Sequence, residues 1–97
     1  MKVTPATYSG DFITCNYLDG DIFYLTDEIS DSKTITISNL SGDGLIGRGL
    51  FLKLKNVAAN TTISFGNSTY TLNTAGEYCF TFINLTGTVE ILNYSKN

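Results

Sequence analysis

Histidine and tryptophan are missing from this chain altogether, proline occurs once, and only two cysteines are present in 97 residues. Without histidine, the commonest general acid–base and the commonest neutral metal ligand are absent. The two thiols, Cys15 and Cys79, lie far apart in sequence and form no metal-binding pair. No catalytic group, metal or cofactor is therefore expected, and the chain does not read as an enzyme. Charge is also scarce: charged residues make up 15% of the chain, against roughly 25% in an average soluble domain. The net charge is −3 and the six basic residues are scattered, so no basic patch is available to neutralise phosphates and nucleic acid is not an expected partner. Apolar runs extend for only a few residues, against the roughly 20 that a membrane-spanning helix needs, so no membrane association is expected. The opening Met1-Lys2-Val3-Thr4-Pro5 leads into polar residues without an apolar signal core, which predicts a chain that starts at its own initiator and is made in the cytoplasm.

In that compartment Cys15 and Cys79 read as reduced, buried thiols acting as small hydrophobes, with a disulfide formed after lysis as the alternative. The Asn-x-Ser/Thr triplets beginning at Asn39, Asn60, Asn67, Asn84 and Asn93 follow from the abundance of Asn and Thr, and no secretory route gives them a glycosylating enzyme.

What is present is a dense succession of strand patterns. Hydrophobic residues make up 42% of the chain and six Phe and six Tyr are included, enough for one domain spanning residues 1–97 with a core of its own. Lys33-Thr34-Ile35-Thr36-Ile37-Ser38-Asn39-Leu40 alternates branched apolar with small polar residues, placing Ile35 and Ile37 on a buried face. The same parity turns Leu50, Leu52 and Leu54 inward and Lys53 and Lys55 outward, and groups Tyr78, Phe80 and Phe82 on one face. Thr61–Phe65 and Thr69–Leu72, joined by Gly66-Asn67-Ser68, read as a hairpin in which Gly and Asn accommodate positive φ. Further strands are predicted at Phe12–Tyr17 and Ile22–Thr26, either side of the turn pair Asp19-Gly20, and at Thr88–Tyr94. The expected fold is all-β: a single antiparallel β-sandwich of about eight strands, in a jelly-roll or other Greek-key topology. Residues 1–10 carry little strand pattern and read as an extended N-terminal segment; Thr26–Asp31 has room for at most one helical turn.

Three groups of residues are candidates for function. Ser41–Gly49 is the one long irregular segment between strands, and loops on rigid sandwiches commonly carry binding residues. It lacks the Gly-Lys-Ser/Thr ending of a phosphate cradle, and a strand follows it instead of a helix. It does carry Leu45, Ile46 and Arg48, which suit a partner's pocket; the competing reading folds Leu45 and Ile46 back onto the domain's own core. The second group, Asp19, Asp21, Asp27, Glu28 and Asp31, lacks the spacing of a calcium loop and reads as turn-forming carboxylates. The third is aromatic: Tyr8, Tyr17, Tyr24, Tyr70, Tyr78 and Tyr94 either pack as strand residues or stack on a sugar or a partner, with Tyr8 and Tyr94 the most exposed.

The succession Gly20–Leu25, Lys33–Asn39, Leu50–Lys55, Thr62–Phe65 and Ala75–Ile83 resembles the small β-sandwich modules of bacteriophage virions, which occur in capsid decoration proteins, head fibres and tail fibres. The resemblance covers about residues 20–92 and implies a virion structural protein, made in the host cytoplasm, that binds the major capsid protein or another virion protein by protein–protein contacts. It also implies a homo-oligomer, a trimer being favoured. In this reading Leu45, Ile46, Arg48 and the N-terminal segment would order against the partner. A receptor- or glycan-binding module of a tail fibre is the alternative; the Gly66-Asn67-Ser68 turn is short for a receptor-contacting loop, and a chain beginning at Met1 suits a decoration protein better than a fibre tip.

Overall fold

The computed structural model describes residues 3–38, 47–85 and 88–96. Its strands are β1 (Val3–Pro5), β2 (Thr7–Ser9), β3 (Phe12–Asn16), β4 (Ile22–Leu25), β5 (Lys33–Ser38), β6 (Gly49–Val57), β7 (Thr61–Phe65), β8 (Ser68–Leu72), β9 (Gly76–Leu85) and β10 (Thr88–Lys96). They form two five-stranded sheets packed face to face, ordered β1-β4-β6-β9-β10 in the first and β2-β3-β5-β7-β8 in the second. The all-β sandwich is as expected from the alternating patterns.

The expected antiparallel arrangement is corrected. Both sheets are mixed: β1 and β4, β4 and β6, β3 and β5, and β5 and β7 pair in parallel. The cause is the path of the chain. From β3 to β7 each strand is followed by one in the opposite sheet, so successive visits to a sheet run in the same direction. Here a strand of the facing sheet makes the crossover that parallel pairing requires, a job more often done by a helix. Antiparallel pairs then close the flanks: the hairpins β2–β3, β7–β8 and β9–β10, and β9 beside β6. Neither a jelly-roll nor another Greek-key order is read from these sheets.

The strand count also exceeds the expected eight, because the N-terminal segment is itself strand. Val3–Pro5 lies parallel to β4, Ala6 N–H donates to Tyr24 O at 2.8 Å, and Thr7–Ser9 crosses to the second sheet beside β3. Pro5 is tolerated there because β1 is an edge strand, where a missing N–H breaks no ladder. Residues 3–9 are thus built into both sheets. Between Leu25 and Lys33, where the sequence leaves room for at most one helical turn, Ile29 makes a parallel bridge to Val57, and a 3-10 turn forms at Tyr17–Asp19.

Leu50, Leu52 and Leu54 of β6 and Phe80 and Phe82 of β9 are fully buried, as are Ile13, Cys15 and Ile63 of the second sheet, and Ile35 and Ile37 are also core residues. Each such side chain contributes roughly 1.5–3 kcal/mol by leaving water. The hairpin at Gly66-Asn67 forms as expected, with Phe65 opposite Ser68; Gly66 has φ 59°, while Asn67 is not among the positive-φ residues. Lys33 departs from its neighbours in kind, since it points into the sandwich and is 7% exposed. Its ammonium donates to Gly10 O at 3.3 Å, lies 3.6 Å from the Asp11 carboxylate and 5.5 Å above the Tyr8 ring.

Candidate interaction surface

Of the loop residues singled out in the sequence, Leu45 and Ile46 lie outside the described residues, and Arg48 is held against the body of the domain. Its guanidinium donates to Asp21 Oδ1 and sits 5.1 Å from the centre of the Tyr17 ring. The Tyr17 hydroxyl donates to Arg48 O at 2.7 Å. Gly47 N–H donates to Asn84 O at 2.7 Å, and Asn84 N–H returns a bond to Arg48 O at 3.1 Å, prolonging the ladder between β6 and β9. Burial pushes the Tyr17 hydroxyl above its ordinary pKa; the Arg48 charge opposes this and the Asp21 carboxylate adds to it. Arg48 therefore clamps the base of the loop, tying together the 3-10 turn, the start of β4 and the start of β6.

The carboxylates do not converge. Asp21 is engaged by Arg48, while Asp19 is exposed in the 3-10 turn and Asp27, Glu28 and Asp31 are exposed in the segment between β4 and β5. Among the described residues no three His, Cys, Asp or Glu side chains come together. The tyrosines disperse as well: Tyr17 and Tyr78 are core residues, Tyr78 donating to Thr74 O at 2.6 Å, and Tyr8 packs under Lys33. Tyr24, Tyr70 and Tyr94 reach the surface. Both cysteines are free; Cys15 is buried, its thiol pushed by burial from 9.0 up to about 12, whereas Cys79 is half-buried on the outer face of the first sheet.

That outer face carries an apolar strip. The parallel register sets Val3 beside Ile22 and Ile22 beside Phe51, so three large apolar side chains from β1, β4 and β6 form a strip across the sheet. Val3 is 59% exposed and Phe51 40%. One row along, Tyr24, Lys53 and Cys79 are neighbours. Together with Lys55 these residues line an open concavity of about 300 Å³. Its basic end is only partly neutralised. Lys53 pairs with Glu77 at 3.3 Å, but Lys55 lies 5.8 Å above the Tyr24 ring and makes no ion pair among the described residues. The outer face of the second sheet differs: its row Ser9, Phe12, Thr34, Ser64 and Thr69 is hydroxylic apart from Phe12.

Sequence reasoning missed this strip, although half of its signal was present. If Leu50, Leu52 and Leu54 point inward, Phe51 must point outward. That Val3 and Ile22 lie beside it follows from parallel pairing, which alternation does not reveal. No protein-family model matches the chain, and no match is found among curated proteins or solved structures.

Proposed function

We propose that this protein is a non-catalytic adhesion module of a bacteriophage virion, an auxiliary or decoration protein that binds the capsid or a head fibre by protein–protein contacts. The observation that carries the reading is the Val3–Ile22–Phe51 strip, exposed at Val3 and Phe51 on a weakly charged sandwich where most other large apolar side chains among the described residues are buried. Contiguous exposed apolar surface of this kind marks contact sites. An aromatic anchor surrounded by a polar rim is the usual centre of binding energy at such sites. Lys53 and Lys55 at one end give the partner's chemistry: the major capsid protein, or another virion protein, presenting an apolar side chain beside a carboxylate. Many copies on a lattice would convert a modest single contact into firm attachment. The protein would be made in the host cytoplasm and reside in the virion, and self-association as a trimer remains part of the proposal.

Co-sedimentation of the purified protein with phage capsids tests this. Phe51→Ser should weaken capsid binding at least tenfold while the protein stays folded, and raised salt should weaken binding through Lys53 and Lys55. A parallel variant lacking Leu45 and Ile46 separates the loop from the sheet. Undiminished binding by Phe51→Ser would remove the first sheet's face from the mechanism.

A further inference from the structure

On the side away from β1 and β2, the sandwich ends in two edge strands, β8 and β10. They do not seal. Between them lies an open cavity of about 350 Å³ lined by Phe65, Gly66, Asn67, Ser68, Tyr70, Val89 and Ile91. We propose that this cavity binds a neutral saccharide.

Three observations carry the assignment. The first is an aromatic wall with fixed orientation. Tyr70 meets the Tyr94 ring edge-on at 5.1 Å, Tyr94 stacks on buried Phe80 at 5.4 Å, and Phe65 meets buried Phe82 at 5.0 Å. Of these rings Phe65 and Tyr70 line the cavity, held in place by Phe82 and Tyr94, and the π-face of a ring attracts the weakly positive C–H groups of a sugar. The second is the polar complement. Neither the Asn67 amide nor the Ser68 hydroxyl makes a side-chain hydrogen bond among the described residues, and both are exposed at the rim. An amide and a hydroxyl each donate and accept, as sugar hydroxyls do. The tight register of the hairpin, Phe65 opposite Ser68 and Ile63 opposite Tyr70, fixes the backbone that carries these groups before any ligand arrives, so only the side chains remain to be ordered on binding. The third is the lack of charge: among the described residues none that lines the cavity carries a carboxylate, an ammonium or a guanidinium. A charged ligand would find no counter-ion among them, whereas a polyhydroxylated neutral one needs none. The volume lies near the lower end of the about 300–1,000 Å³ typical of ligand pockets, enough for one or two sugar rings. The turn residues judged too short for a receptor loop thus act as one rim of a pocket whose walls are strands. The inference does not depend on the adhesion reading, since the first sheet's outer face takes no part in it.

The test is an amide NMR titration of the intact protein with glucose, galactose, N-acetylglucosamine and their disaccharides. Glucuronic and sialic acids are titrated in parallel. The expected result is shift changes confined to residues 65–70 and 89–91 for at least one neutral sugar, with Kd raised about tenfold in Asn67→Ala and in Tyr70→Ala. Asn67 is an exposed turn residue, so Asn67→Ala decides the matter alone should Tyr70→Ala fail to fold. The proposal is overturned by shifts absent or located elsewhere, by wild-type affinity in Asn67→Ala, or by the acidic sugars binding as tightly as the neutral ones.

Discussion

At the scale of single residues, three buried or half-enclosed groups share one sign. Burial raises the Cys15 thiol, and burial reinforced by Asp21 raises the Tyr17 hydroxyl against the pull of Arg48. For Lys33, burial lowers the pKa, but the hydrogen bond and charge of Tyr8, with the Asp11 and Asp31 carboxylates, more than offset it and leave it above 10.5. In each case the fold favours the protonated form. The stability these groups contribute is therefore complete below their unfolded values of 9.0, 10.0 and 10.5 and is lost as pH rises through the raised folded values, about 12 for Cys15. Urea unfolding followed from pH 7 to 12 should show constant stability to about pH 9 and then a decline, with the earliest part of the decline removed in Cys15→Val. A flat profile through pH 11 would contradict the placement of these groups. Lys33 also shows how far residue-level reading reaches: alternation placed only Ile35 and Ile37 on the inner face, and the structure adds Lys33 to it, with the carbonyl of Gly10 and the ring of Tyr8 accommodating the ammonium.

At the scale of elements, β6 separates stability from contact within two adjacent positions. Leu52 is fully buried between the sheets, whereas Phe51 faces outward and is 40% exposed. Leu52→Ala should cost about 2–5 kcal/mol, the transfer term plus the cavity left behind. Phe51→Ser should cost less, about 1–2 kcal/mol, because only part of the Phe51 ring is out of water and its loss leaves no closed cavity. Thermal or chemical denaturation of the two variants checks the contrast; equal destabilisation would mean that the strip at Phe51 is structural. This division was legible in the sequence as far as the inward leucines and outward lysines. The strands at Val3–Pro5 and Thr7–Ser9 were not, because three residues are too few for alternation to register and Pro5 argues against a paired strand until its edge position is known.

At the scale of the whole molecule, the alternation of the chain between sheets makes the pairing long-range. Phe12 pairs with Thr34, Ile22 with Phe51 and Lys33 with Ile63, each joining segments separated by a strand of the opposite sheet. Loop closure must precede such contacts, so refolding is expected on the slow side for a small domain, in roughly milliseconds to seconds. Stopped-flow refolding of the reduced protein measures this; completion within microseconds would be incompatible with the parallel winding. The same winding gives the molecule two unlike edges. Consecutive strands β1 and β2 occupy one, while β8 and β10 stand apart at the other and leave the aromatic-walled cavity between them.

The sequence by itself determined that the chain is all-β and that Ile35, Ile37, Leu50, Leu52, Leu54, Tyr78, Phe80 and Phe82 enter its core, because period-two alternation records burial residue by residue. It also determined where the hairpin turn falls, since Gly66 supplies the positive φ that a tight turn needs. Tertiary structure alone decided which strands are neighbours and in which direction they run, because one alternating pattern suits a parallel or an antiparallel partner equally well. Both candidate sites depend on that decision. The apolar strip exists because β1, β4 and β6 lie in parallel register, and the cavity exists because β8 and β10 end their sheets on the same side.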